Sequence, residues 1–392
     1  MQFKDIAGHT ELKERLLKSV RESRVSHALL FLGQEGAGAL PLAFAFAQYI
    51  SCENRGETDS CGTCKSCYKY ERFAHPDLHF ILPIVPKKNY AITPDTTKDL
   101  VASSDFIFLW RKAFDENPYQ NLNDWFNFLE AENKQANIPV DECNELLRKF
   151  SLKTYESPYR ICIIWQPERL HKDGANKLLK MLEEPPPNSY FILVPEQADL
   201  ILPTVSSRTQ LIKINRPEDE ILLRLLVDKE GISHEKAEQV VRLSDGNQRE
   251  IRRLLQENDS DINQVTDLRN WWVLAFRSVD GKGVKELLEW VDAMQDAGRE
   301  KQKAYLHYAL HIFRECLLIK NSCENLVRMN DLEKNTFSKF PAMINLNNCF
   351  SFEDELNQAY YHIERNANGK VIFLDLSIRL GNLLRLKADL PA

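Results

Sequence analysis

Apolar residues recur along this chain in two rhythms, and the change of rhythm divides it. Uninterrupted apolar runs at residues 28–32, 161–165 and 190–194 read as buried strands, and residues 210–214 as a further one. Helical spacing fills the intervals: Leu12, Leu16 and Val20 ahead of the first run, then residues 40–50, 140–150 and 176–184. Pro41 suits a first helical turn, where no amide donor is needed. Strands alternating with helices predict an α/β domain with a parallel sheet covered on both faces. Pro217 marks a boundary. From 218 to 257 the pattern is helical only, through Ile221, Leu222 and Leu225, then Val240, Val241 and Leu243, then Ile251 and Leu255. Beyond about 263 it stays helical, and the last helix carries Val371, Leu374 and Ile378 on one stripe. The expected division is therefore an α/β domain at 1–215, a small helical domain at 216–262 and an all-helical domain at 263–392.

Residues 84–137 interrupt the alternation and read as an insertion. They combine lysines, aspartates and prolines with Tyr90, Phe106, Phe108, Trp110, Phe114, Trp125, Phe126 and Phe128. Such aromatics suit a lid of helices packed onto the body, or a surface on which single-strand bases stack. The segment is not basic, which favours the first reading.

Composition narrows the function classes. The 392 residues are 43% hydrophobic, with 51 basic and 57 acidic side chains and a net charge of −6. That balance disfavours an extensive phosphate-binding surface. No run of about 18 apolar residues is present, and Met1-Gln2-Phe3-Lys4-Asp5 lacks the order of a secretion signal, so a cytoplasmic location is expected. Of nine cysteines, four fall between 52 and 67, as Cys52-x8-Cys61-x2-Cys64-x2-Cys67. Four thiolates at this spacing, in a loop of small polar residues, can close a tetrahedral zinc site. The site would be structural, because four protein ligands leave no open position.

The stretch Gly33-Gln34-Glu35-Gly36-Ala37-Gly38-Ala39-Leu40 follows a strand and opens a helix, the setting of a phosphate-binding loop. A working loop reads Gly-x-x-x-x-Gly-Lys-[Ser/Thr]. Gly33, Gly36 and Gly38 remain, but Ala39 stands where Lys belongs and Leu40 where the hydroxyl belongs. A methyl cannot neutralise a phosphate and a leucine cannot ligate Mg²⁺, so no ATP is expected in cis.

Further along stand Asn176-Lys177-Leu178-Leu179-Lys180-Met181-Leu182-Glu183-Glu184-Pro185-Pro186, a strand at Phe191-Ile192-Leu193, and Thr204-Val205-Ser206-Ser207-Arg208-Thr209. With Gly8-His9 and Ser26-His27-Ala28, this resembles the clamp-loader branch of the AAA+ ATPases. The cysteine module, the degenerate loop, His75-Pro76-Asp77 and Asn366-Ala367-Asn368 make it similar within that branch to the delta-prime subunits of bacterial DNA polymerase III. The resemblance covers about 1–83 and 138–257 well, the C-terminal helices weakly, and 84–137 not at all. It implies a RecA-like AAA+ domain at 1–215, a lid at 216–262 and an oligomerisation collar at 263–392.

The resemblance also assigns roles. After the strand ending at Ile164 an active relative has Asp-Glu, where this chain has Trp165-Gln166. The family's polar sensor falls near Val194-Pro195, again inert. Arg208 matches the Ser-Arg-Cys arginine that reaches a neighbour's ATP in trans, against which stands a local salt bridge. Gly246-Asn247-Gln248-Arg249 matches the second-sensor stretch. With no nucleotide in cis, Arg249 is expected to be solvated or to face DNA, and Arg252-Arg253 to give a modest basic edge. The implied function is a non-catalytic subunit of a clamp-loading ring, with gamma/tau-type ATPase and delta subunits as partners. Sliding clamp and primer-template DNA are reached through the assembly, and no membrane is involved. Alternatives are an active gamma-type ATPase and a zinc-dependent nucleic-acid-binding adaptor.

Overall fold

A computed structural model describes residues 1–93, 96–131, 137–255, 260–365 and 367–386. It contains two compact units, Met1–Arg253 and Leu254–Ala392.

In the first unit, β1 (Ala28–Gly33), β2 (Leu78–Ile81), β5 (Arg160–Trp165), β6 (Ser189–Val194) and β7 (Gln210–Ile214) form a five-stranded sheet in the order β2-β5-β6-β1-β7. Every pairing in it is parallel. Successive side chains point to opposite faces, so the inner strands β5, β6 and β1 feed two cores. Leu29, Phe31, Ile161, Ile163 and Ile192 join the helix Ala39–Ser51 on one face. Ala28, Leu30, Cys162, Ile164, Phe191 and Leu193 join the helices Val140–Ser151 and Lys172–Glu183 on the other. Burial on both faces is why these strands are continuous apolar runs.

The insertion differs from the lid of helices expected for it. It opens with two antiparallel strands, β3 (Lys87–Thr93) and β4 (Thr96–Leu100), before the helices Ser103–Glu116 and Leu122–Phe128. An isolated two-stranded ribbon carries little of the hydrophobic patterning that marks a strand in sequence. The aromatics are core: Phe106, Trp110, Phe114, Trp125 and Phe126 are buried. Trp110 lies 4.7 Å from Trp165 and 5.2 Å from Trp125, whose Nε1 donates to the Pro83 carbonyl at 2.9 Å. Rings spent in this way do not form a base-stacking surface. The edge strand β2, four residues between His75-Pro76 and Pro83, was likewise not anticipated.

The helices Asp219–Asp228, His234–Ser244 and most of Gln248–Leu255 belong to the same compact unit as the sheet. The second unit is helical throughout its described residues, around Trp271, Trp272, Phe313, Phe352 and Phe373. Its last helix, Gly369–Leu383, is capped by Asn368, whose side chain accepts from the Val371 amide. Asn366, cited for the resemblance, lies outside the described residues. This helix turns Phe373, Leu376 and Leu380 inward, whereas Val371 is 62% and Ile378 48% exposed. Of the stripe read from the sequence, Leu374 packs against the unit's core, whereas Val371 and Ile378 lie on its outer face.

Candidate functional site

β1 carries the loop to the carboxyl end of the sheet, between β6 and β7. Gly36 (φ +70°) and Gly38 (φ +97°) adopt left-handed backbone, and Gly38 caps the helix Ala39–Ser51. The backbone of a phosphate loop is thus retained, but its interior is filled. Leu40 is 4% exposed and belongs to the core. A Cβ on Gly36 would meet Asn247 Oδ1 at 1.7 Å, and the Gln248 amide donates to the Gly36 carbonyl at 3.1 Å. The remaining cavity measures about 50 Å³, whereas ligand pockets run to roughly 300–1,000 Å³.

The charge at the loop is reversed as well. Glu35, Gln120, Gln166 and Glu196 line the cavity with Trp165, Val194 and Pro195, and its described lining contains no lysine or arginine. Gln166 sits at φ +56° and its Nε2 donates to Glu196 at 2.5 Å. Burial pushes the Glu196 carboxyl up to about 7, with Glu35 and Glu168 adding repulsion. Such a site offers phosphate no counter-charge.

Arg249 is neither solvated nor turned to a DNA-facing surface, contrary to the expectation from its motif. Its Nε and Nη2 donate to the two Asp124 oxygens at 2.6 and 2.7 Å, and Nη1 to Glu35 at 3.2 Å. Desolvation acts to lower its pKa, but the Asp124 hydrogen bonds and the surrounding carboxylates outweigh it and raise the value. Asn121 also donates to Glu35, at 3.0 Å. Glu35, Asn121 and Asp124 were missed in the sequence, because nothing local links an insertion residue to a loop 86 positions away.

Arg208 follows the short helix Pro203–Ser206. Its Nη2 lies 2.6 Å from Glu183, in the Glu-Glu-Pro-Pro run, and its Nη1 donates to the Thr204 carbonyl at 3.0 Å and to Ser207 at 3.3 Å. The side chain keeps 36% exposure, and its partners among the described residues are all local.

The four cysteines come together. The Sγ atoms of Cys52, Cys61, Cys64 and Cys67 all lie within 4.8 Å of one another, with Cys52–Cys61 at 3.6 Å and Cys61–Cys67 at 3.9 Å. Four Zn–S bonds of about 2.3 Å at tetrahedral angles separate sulfurs by roughly 3.8 Å. The set fits a tetrahedral metal. Backbone amides of Cys61, Cys64 and Cys67 donate to the sulfurs of Cys52, Cys61 and Cys64 at 3.3–3.4 Å. The N-terminus clamps the module: Asp59 accepts from the Phe3 amide at 3.1 Å and the Lys4 amide at 2.9 Å, while Gln2 donates to Ser60. Downstream, Asp77 accepts from the Tyr155, Glu156 and Ser157 amides at 2.7–2.8 Å. Burial opposes the Asp77 charge, but these three donors win and hold its carboxyl below the usual range. The His75-Pro76-Asp77 motif thus ties β2 to the turn before β5.

Comparison with known proteins agrees with this architecture. The family model for DNA polymerase III, delta subunit, matches residues 8–218, more than half of the chain. The delta-prime subunit of Haemophilus influenzae DNA polymerase III is 24% identical over 78% of this chain and 75% of its own length. That of Bacillus subtilis is 26% identical over 57% of this chain and 54% of its own. The Bacillus subtilis tau subunit is 21% identical over 95% of this chain and 60% of its own. The chain belongs to the DNA polymerase III delta-subunit family and is of the delta-prime clamp-loader type.

Proposed function

We propose that this chain is a non-catalytic subunit of the DNA polymerase III clamp loader. It scaffolds the ring that places the sliding clamp on primed DNA, and it lends Arg208 to a neighbouring subunit's ATP. The observation that carries the reading is the filled loop: Ala39 and Leu40 in place of Lys and hydroxyl, and a residual cavity of about 50 Å³ edged by Glu35 and Glu196. The trans role of Arg208 is supported by its exposure, since an ion pair at the surface is worth only about 0–1 kcal/mol and releases easily. The cysteine cluster supports a structural zinc on Cys52, Cys61, Cys64 and Cys67. The outward Val371 and Ile378 support residues 263–392 as the collar that meets other subunits. Partners are then gamma/tau-type and delta subunits, with clamp and primer-template DNA contacted through the assembly, in the cytoplasm. Among the described residues no helix is long and apolar enough to cross a membrane.

The tau likeness over 95% of the chain favours a second reading, an active gamma-type ATPase. Calorimetric titration of the purified chain with Mg-ATP separates the two. No saturable heat in the micromolar range is expected, and a stoichiometric binding curve would overturn the first reading.

A further inference from the structure

We propose that residues 118–124 of the insertion are a built-in substitute for a nucleotide, fixing the helices of 219–253 on the phosphate loop without any ligand. This rests on the reading that no ATP binds here. The segment reinforces two surfaces that already meet through the Arg249–Glu35 ion pair at 3.2 Å and the Gln248 amide on the Gly36 carbonyl at 3.1 Å. On the loop side is the Glu35 carboxylate, and on the helical side the Arg249 guanidinium. Asn121 engages the first through Nδ2 at 3.0 Å. Asp124 engages the second with both oxygens, at 2.6 and 2.7 Å, the paired geometry an arginine would make with a phosphate. Tyr119 lines the cavity beside Gly38 and carries Arg252 over its ring at 5.6 Å. Asn247 fills the space above Gly36.

The segment is pre-ordered for this task. Asn121 and Asp124 form a reciprocal capping box at the start of the helix Leu122–Phe128, with bonds of 3.0 and 3.1 Å. One residue on, Trp125 is fully buried and tethered to the Pro83 carbonyl. Asp124 is therefore presented by an anchored helix end rather than by a mobile loop, and its bonds to Arg249 form with little side-chain ordering left to do. The mixed aromatic and acidic character of 84–131 follows: aromatics seat the segment, and Asp124 bridges it.

Hydrogen exchange of the full-length, zinc-loaded chain tests the bridge from both ends. Asp124→Asn keeps an acceptor for the helix cap, and Arg249→Ala leaves the cap untouched. Both variants should accelerate exchange by about tenfold or more in Asp219–Asp228, His234–Ser244 and Gln248–Leu255. Protection of β1 and β6, and zinc content, should hold. Unchanged exchange in both variants, or acceleration confined to Leu122–Phe128 in Asp124→Asn alone, overturns the proposal. A separate Mg-ATP titration of the wild type decides the ATP-free reading, so the two can fail independently.

Discussion

Burial of Glu196 beside Glu35 and Glu168 raises its carboxyl from 4.5 to about 7. Between these values the folded chain holds a proton that the unfolded chain has lost. Stability from this group is therefore complete below pH 4.5 and is lost as pH rises through 7. At about 1.4 kcal/mol per pKa unit the loss is on the order of 3–4 kcal/mol. Gln cannot ionise and still accepts from Gln166. Glu196→Gln should thus be more stable than wild type in urea melts at pH 8, by about that amount, and indistinguishable near pH 4. Equal stability at pH 8 would show that the site is wetter than its packing implies. Arg208 belongs to the same scale. Its ion pair with Glu183 is exposed, so Arg208→Ala should shift stability by less than about 1 kcal/mol. In the reconstituted loader with clamp and primed DNA, the same change should lower steady-state ATP hydrolysis several-fold. That is less than the ~10³-fold or more of a lone finger, because other ATP sites keep theirs. An unchanged rate would leave Arg208 with only its local ion pair.

The cysteine module behaves as one element. It has no apolar core of its own, and its loop is held by Asp59 on the Phe3 and Lys4 amides and by four sulfurs within 4.8 Å. Metal binding to such a set is folding free energy for the segment. Purified protein should carry one zinc per chain by elemental analysis. Cys64→Ser, at the cap of the helix Lys65–Glu71, should lower both zinc content and melting temperature. Full occupancy after that change would exclude Cys64 from the ligand set. At this scale much was legible beforehand. The strands at 28–33, 160–165 and 189–194 fall where the apolar runs placed them, because burial on both faces leaves a continuous signal, and the helix at 140–151 falls where helical spacing placed it. β2 and the β3–β4 ribbon were not legible: one is four residues long, and the other is a polar two-stranded pair.

At the scale of the molecule, the last helix carries apolar side chains both inward and outward. Phe373, Leu376 and Leu380 fill the core of the second unit, while Val371 and Ile378 face outward. Replacing both outer residues by Asp should leave the melting temperature nearly unchanged and prevent co-elution with the other loader subunits. Retained co-elution would place the collar contact elsewhere. The sequence by itself determined the parallel α/β domain followed by helices, the thiolate set, and the loss of Lys and hydroxyl at Ala39 and Leu40. Each of these is written in local spacing, which short-range sterics and single ligand chemistries read directly. Only the tertiary structure decided that Val371 and Ile378 face out, that Arg249 is a buried partner of Asp124, and that the insertion closes the loop it sits beside. Those facts depend on contacts between residues about 86 to 214 positions apart, for which the chain carries no local periodicity.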